Sequence, residues 1–365
     1  MKFSAYIFII LLLISCDNKE NITPPVADNF IRGADLSFLP EIELYNLKFF
    51  DASGNVKDVL TILREAGCNT VRLRLWHTPQ SAHSGFSEVV DFSNRIKEAG
   101  MKVYLTVHFS DTWADPGQQA TPSAWQGLAL AQLKDSVYHY MEKVITVIKP
   151  EYVSLGNEIN GGMLWEQGRI NNGANLYQLL EQAALATRQA SDTTKIIIHF
   201  AGLDGSDWFF NQIRNNDIDY DIIGLSYYPA WHGKSLDSLK NTLNHLAADF
   251  SKPVFIAETA YPFTLEWEDM TNNVIGLQQQ LIPAYPATPQ GQEDFLYALR
   301  EIIESSANGA GFCYWGGEWI AFKGPLAGYG SSWENQALFD FDNHALPVLN
   351  AFKGTPARGL ESQFR

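Results

Sequence analysis

From residue 30 onward the chain repeats one pattern: a short apolar run rich in β-branched and aromatic residues, a loop with polar and aromatic side chains, then an amphipathic stretch of helical period. The apolar runs are Phe30 to Phe38, Thr70 to Trp76, Lys102 to Ser110, Tyr152 to Asn160, Lys195 to Gly202, Asp221 to Pro229, Pro253 to Pro262 and Gly309 to Gly316. Between them the period predicts helices over Val56 to Ala66, Phe92 to Ala99, Leu128 to Ile148, Leu176 to Ser191, Leu236 to Phe250 and Gly291 to Ser306. Eight strands alternating with helices is the count of a single (β/α)8 barrel, an α/β fold. A doubly wound open sheet is the rival architecture, but no glycine-rich phosphate turn follows the first run. No second domain and no short repeat is visible, so one catalytic-sized barrel is placed over residues 30–355, with a tail at 356–365.

The residues before the first strand read as an address. Lys2 precedes an almost unbroken apolar run from Phe3 to Ile14, too short for a comfortable permanent span and typical of a signal-peptide core. The run ends in Leu13-Ile14-Ser15-Cys16, which resembles the lipobox of bacterial lipoproteins. That resemblance implies a signal peptide over residues 1–15 and a lipid on Cys16, with an N-terminal anchor helix as the alternative. Residues 16–29 are polar and carry Pro24-Pro25, so they read as a flexible tether. The acidic start of this tether is similar to the export signals of Bacteroidetes surface lipoproteins. The expectation is an extracytoplasmic, lipid-anchored protein at the outer membrane, exposed at the cell surface and monomeric. Of the remaining cysteines, Cys68 and Cys313 sit in apolar or small-residue settings and are expected as buried free thiols, a disulfide between them being the alternative.

Composition narrows the partners. Of 365 residues 46% are hydrophobic and 18% charged, which excludes a disordered chain. The 26 Lys and Arg against 41 Asp and Glu leave a net charge of −15, giving no reason to expect nucleic acid or an anionic surface and favouring a neutral or cationic ligand. Ten Trp, 15 Tyr and 22 Phe are a heavy aromatic load that core packing accounts for in the main, but flat sugar faces also stack on such rings.

Barrel enzymes carry their chemistry at the C-terminal ends of the strands. Here the fourth run ends Ser154-Leu155-Gly156-Asn157-Glu158-Ile159-Asn160 and the seventh ends Ile256-Ala257-Glu258-Thr259-Ala260-Tyr261. Each places a carboxylate at the rim of an apolar strand, where an unpartnered charge is costly. Either glutamate alone fits a structural ion pair equally well; the two on one rim suit glycosidic bond cleavage, with one protonated and the other ionised. In the second run, Arg72 and Arg74 share one face by the two-residue period, and inward arginines need carboxylate partners. An arginine beside Glu258 would depress its pKa. Asn157 is placed to bond a sugar hydroxyl, and Tyr227 or Tyr228 to touch the nucleophile.

The third run continues into His108-Phe109-Ser110-Asp111-Thr112-Trp113-Ala114-Asp115-Pro116. This segment resembles the corresponding stretch of glycoside hydrolase family 53, the endo-β-1,4-galactanases, with Phe109 where the family usually has tyrosine. The resemblance extends to Gly33-Ala34-Asp35-Leu36-Ser37, Arg72 to Trp76, Leu155 to Ile159, Ser226-Tyr227-Tyr228-Pro229, Glu258 to Tyr261 and Tyr314-Trp315, covering about Phe30 to Phe352. It implies a retaining double displacement on β-1,4-galactan, with Glu158 as acid/base and Glu258 as nucleophile. It further implies that His108 and Asp111 line the cleavage subsite and that Trp315 is its floor. Trp113, Trp319, Trp165 and Trp231 are candidate outer platforms, core packing being the alternative for each. No cofactor is expected for catalysis, and His and Cys do not fall at zinc spacings. Bacterial members of the family often hold calcium between the loops after strands seven and eight. There Glu268, Asp269, Asn272 and Asn273 offer oxygen ligands, a solvated acidic loop being the alternative. A retaining mannanase or cellulase would share Asn157, Glu158 and Glu258 but not the Asp111-Thr112-Trp113 segment. A glycan-binding lipoprotein would need no rim carboxylates.

Overall fold

The computed structural model describes residues 29–353. The expected signal peptide, nearly all of the tether with Cys16, and the C-terminal tail lie outside the described residues. Within them, eight parallel strands form a closed barrel: β1 (Ile31–Asp35), β2 (Thr70–Leu75), β3 (Lys102–Val107), β4 (Tyr152–Leu155), β5 (Lys195–Ala201), β6 (Ile222–Ser226), β7 (Val254–Thr259) and β8 (Gly309–Tyr314). Each pairs with its successor, and β8 closes on β1 with Ile31 opposite Gly311. Every strand begins within a predicted run but stops earlier, because the polar residues that ended those runs belong to the rim loops.

The longer helices follow the predicted spacing with three differences, and short helices at Leu39–Glu43 and Pro229–His232 are additional. Val56 to Ala66 divides: Val56–Lys57 pairs with Phe49–Phe50 in a small hairpin, and the helix starts at Val59 after Asp58, whose side chain caps Thr61 N. The helix expected from Phe92 begins earlier, at Phe86, directly after Gly85 in the extended region. A helix at Ser206–Asn215 was not anticipated. It is short, and its buried residues Phe209, Phe210 and Ile213 are flanked by polar ones that hide the period. After β8 the described chain closes with a 3-10 turn, Pro347–Phe352, against the helix Pro289–Ser305.

Alternate residues on the strands point inward, as the pleat requires. Ile31, Tyr104, Tyr152, Ile197, Ile222, Phe255 and Cys313 fill the lower barrel as an apolar plug. One layer up, the inward set turns polar with Arg72, Thr106, Ser154, His199 and Ser226, all buried. The larger apolar cluster lies outside the barrel, between strands and helices. Cys68 and Cys313 are buried free thiols, as expected. No helix among the described residues is long and apolar enough to cross a membrane.

Candidate active site

The rim carboxylates converge. Glu158 lies just past the end of β4, where Gly156 takes φ +93° and Glu158 itself φ +47°. A side chain on Gly156 would bring its Cβ to 2.4 Å from Ile159 Cγ2, so only glycine permits the turn that swings Glu158 over the barrel mouth. Gln119 holds the segment from above, its amide donating to the carbonyls of Asn157 (2.8 Å) and Glu158 (3.3 Å). Glu258 reaches the same space through a register shift: Leu225 faces Ile256 but Ser226 faces Glu258, so Ala257 is skipped. One oxygen of Glu158 and one of Glu258 lie within 4.8 Å of each other.

Arg72 organises the floor beneath them. It donates to Asp35 Oδ2 (2.6 Å), Glu258 Oε1 (2.6 Å), Asn157 Oδ1 (2.9 Å) and Thr106 Oγ1 (3.0 Å). Tyr228 OH donates to the other oxygen of Glu258 at 2.9 Å. Burial lifts the Glu258 carboxyl above its usual range, and the expected depression by Arg72 opposes this without overcoming it. Glu158 makes no ion pair with a cation among the described residues. Burial and the charge of Glu258 push it to about 8, with the Ser226 hydroxyl, 2.5 Å from its Oε1, pulling the other way. The proton of the pair therefore rests on Glu158, and the cation and phenol hold Glu258 as the carboxylate.

The two carboxylates open into a cleft of about 650 Å³ whose lining also includes His108, Trp113, Asn157, Tyr228, Trp231, Trp315, Trp319 and Trp333. His108 Nδ1 accepts from Ala114 N at 3.1 Å, so the neutral ring carries its proton on Nε2, which has no partner among the described residues and can donate to a ligand hydroxyl. Burial and the two arginines keep that ring neutral. Trp315 meets Trp333 edge-on at 4.6 Å, and Trp231, half exposed, stacks parallel to Trp333 at 6.3 Å.

Four expected placements are corrected. Asp111 does not line the cleft: its oxygens accept the amides of Thr78 (2.9 Å) and Ser123 (2.8 Å) and staple two loops. Tyr227 points away from the nucleophile and donates to Gly233 O at 2.9 Å. Arg74 makes no ion pair among the described residues. Its guanidinium lies 4.0 Å from the Phe38 ring and 4.4 Å from that of Trp113, its Nε donates to Ser84, and burial lowers its pKa to about 10. Trp165 lies outside the cleft lining and is covered by Arg169, 3.8 Å from its ring.

In the loop after β7, Glu268 and Asn273 each leave a buried oxygen without a hydrogen-bond partner among the described residues, and Glu334 from the loop after β8 leaves a third. Glu334 Oε1 accepts the amides of Glu268 (2.7 Å) and Asp269 (3.3 Å), which brings the loops together. Burial and the neighbouring acids lift Glu268 to about 7. Asp269 accepts the amides of Thr271 and Ser331, one on each carboxylate oxygen, and Asn272 is exposed.

Sequence reading passed over Asp35, Gln119, Ser226 and Trp333 as site residues. Asp35 and Ser226 end their strands at inward positions, and the two-residue period could have found them. Gln119 and Trp333 come from long loops that carry no such signal.

The closed barrel and its paired rim carboxylates define a glycosidase of the barrel type. The chain belongs to glycosyl hydrolase family 53, whose model matches residues 31–352. It is similar to an arabinogalactan endo-β-1,4-galactanase of Cellvibrio japonicus, 36% identical over 90% of this chain and 92% of that one. Among solved structures it resembles the family 53 catalytic domain of Ignisphaera aggregans, with a TM-score of 0.86, 34% identity, and 90% of this chain and 97% of that one covered. It also resembles a fungal β-1,4-galactanase, with a TM-score of 0.78, 29% identity, and 88% and 98% covered.

Proposed function

We propose that this chain is an endo-acting β-1,4-galactanase that hydrolyses pectic galactan and arabinogalactan with retention of configuration, Glu158 serving as acid/base and Glu258 as nucleophile. One observation carries the reading: the two carboxyl oxygens within 4.8 Å. Retaining glycosidases place their carboxyls about 5–5.5 Å apart, whereas inverting ones need about 6.5–9.5 Å to admit a water. The names of the curated relatives support the substrate.

In the first step Glu258 attacks the anomeric carbon as that carbon's bond to the leaving oxygen breaks, and the Glu158 proton passes to that oxygen. In the second, Glu158, now a carboxylate, takes a proton from water as the water displaces Glu258 and regenerates both groups. Arg72 and Tyr228 hold Glu258 ionised and aimed. Asn157, with Oδ1 engaged by Arg72 and Nδ2 by Ala114 O at 2.8 Å, is rigid enough to bond the hydroxyl next to the breaking bond. His108 Nε2 supplies a second donor. Trp315 forms the floor, and the Trp231–Trp333 stack extends an aromatic track that suits a polymer lying along the cleft.

The orphaned oxygens of Glu268, Asn273 and Glu334 suit a hard cation, and calcium held there would tie the loops after β7 and β8 together. Outside the described residues, the Cys16 lipobox supports export and lipid anchoring at the outer membrane, facing the cell surface.

The test is incubation of the chain lacking residues 1–16 with linear β-1,4-galactan beside mannan and cellulose, following early products by chromatography. A ladder of galactooligosaccharides from galactan alone supports the reading. Cleavage of another glycan instead, or none of galactan, would overturn it.

A further inference from the structure

Behind Glu158 lie two fully buried residues that the scheme above does not use as reacting groups. Ser226 ends β6 and His199 sits on β5, inward positions of adjacent strands. His199 Nε2 lies 2.9 Å from Ser226 Oγ, and Ser226 Oγ lies 2.5 Å from Glu158 Oε1. Those two contacts settle the direction of donation. Burial, with Arg72 and His232 nearby, holds the His199 ring neutral, so it owns one N–H. If that hydrogen sat on Nδ1, which has no partner among the described residues, a buried N–H would be orphaned and Nε2 would compete with Glu158 for the serine proton. With the hydrogen on Nε2, the ring donates to Ser226 and the serine hydrogen faces Glu158.

We propose that His199 and Ser226 are positioning residues that form a donor relay behind the acid/base and fix which oxygen of Glu158 carries its proton. Ser226 donates to Oε1, so the transferable hydrogen is held on Oε2. Without His199 the hydroxyl is free to turn and accept the acid's proton from Oε1, a bond that leads to no leaving group. When the Oε2–H bond breaks and its proton passes to the departing sugar oxygen, Glu158 becomes a carboxylate, and the Ser226 bond to it becomes charge-assisted. The relay itself gains and loses no proton.

This rests on the acid/base assignment of Glu158. The groups that face Glu158 are Arg72 from β2, Glu258 from β7, Tyr228 after β6 and Asp115 after β3, besides the relay; His199 also faces Arg72, Glu258, His108 and His232. Ser226→Ala leaves these in place and removes one donor to the carboxylate.

The experiment compares kcat/KM across pH on galactan and on a dinitrophenyl β-galactobioside, whose leaving group needs no proton. Ser226→Ala should lower the galactan value about tenfold, a fraction of the 10²–10⁴ that a general acid supplies. It should also move the basic limb to higher pH, with a loss within about twofold on the activated substrate. His199→Phe should act in the same direction, and His199→Gln, whose amide keeps a donor, should recover most of the loss. Equal losses on both substrates, or an unmoved basic limb, would overturn the relay. Glu158→Gln separates the layers: a dead Glu158→Gln beside an unaffected Ser226→Ala refutes the relay alone, and an active Glu158→Gln refutes the assignment beneath it.

Discussion

Replacing Arg72 with lysine keeps the charge and removes the fork. One guanidinium now reaches Asp35 and Glu258 at 2.6 Å each, through separate nitrogens, while also bonding Asn157 and Thr106. A lysine ammonium is a single nitrogen with three hydrogens, so it cannot reproduce the four bonds that the guanidinium makes through three separate nitrogens. A hydrogen bond to a charged group contributes about 1.5–3 kcal/mol, so Arg72→Lys should cost about 2–3 kcal/mol. Set against a total of about 5–15 kcal/mol, the variant should still fold. Arg72→Met, which leaves both carboxylates without a cation, should cost about 3–5 kcal/mol. The effect on activity has a definite sign. Arg72 opposes the upward push of burial on Glu258, so weakening it raises that pKa further. The nucleophile is competent only above its pKa, so the acidic limb of kcat/KM should move to higher pH, by about one unit for lysine and more for methionine. Reducing-sugar release from linear galactan between pH 4 and 9, with thermal unfolding of the same preparations, reads both effects. If both variants kept the wild-type acidic limb and stability, Arg72 could not be what holds the nucleophile ionised.

The basic limb of kcat/KM on galactan should lie near pH 8, where Glu158 loses its proton, and Glu158→Gln should cost about 10²–10⁴-fold, both read from initial rates. The same raised pKa predicts that stability falls as pH rises from the unfolded-state value through 8, since the folded site prefers the neutral acid. Glu158→Gln should therefore unfold above the wild type at pH 8, a gain that disappears near pH 4 in calorimetric scans. Calcium at 100 times its dissociation constant should stabilise the protein by about 2.7 kcal/mol, a chelator should reverse this, and Glu334→Gln should blunt the response in thermal shift. Trp231→Ala should raise KM for the polymer several-fold and leave short oligosaccharides nearly unchanged, as measured by substrate-length kinetics; equal effects at all lengths would remove Trp231 from the track.

The alternation of apolar runs and amphipathic stretches determined the barrel, because a parallel strand buried on both faces and a helix with one apolar stripe leave distinct periods in a single chain. Strand ends could be ordered around the rim for the same reason, which made Glu158 and Glu258 legible as a pair. What the period could not give was direction beyond the last paired residue. Tyr227 and Tyr228 are neighbours, yet one reaches Gly233 and the other Glu258. Arg72 and Arg74 share a strand face, yet two residues of rise carry Arg74 out of reach of the carboxylates and into the rings of Phe38 and Trp113. Asp111 stands two residues from a cleft tryptophan but spends its oxygens on loop amides. Glu258 itself enters the site only because the β6–β7 register skips Ala257, a shift set by how eight twisted strands close on one another. Residue type and spacing thus specified which chemistry the rim carries. Closure of the barrel decided which side chains share it, since contacts across strands depend on register and loop path, which no local pattern encodes.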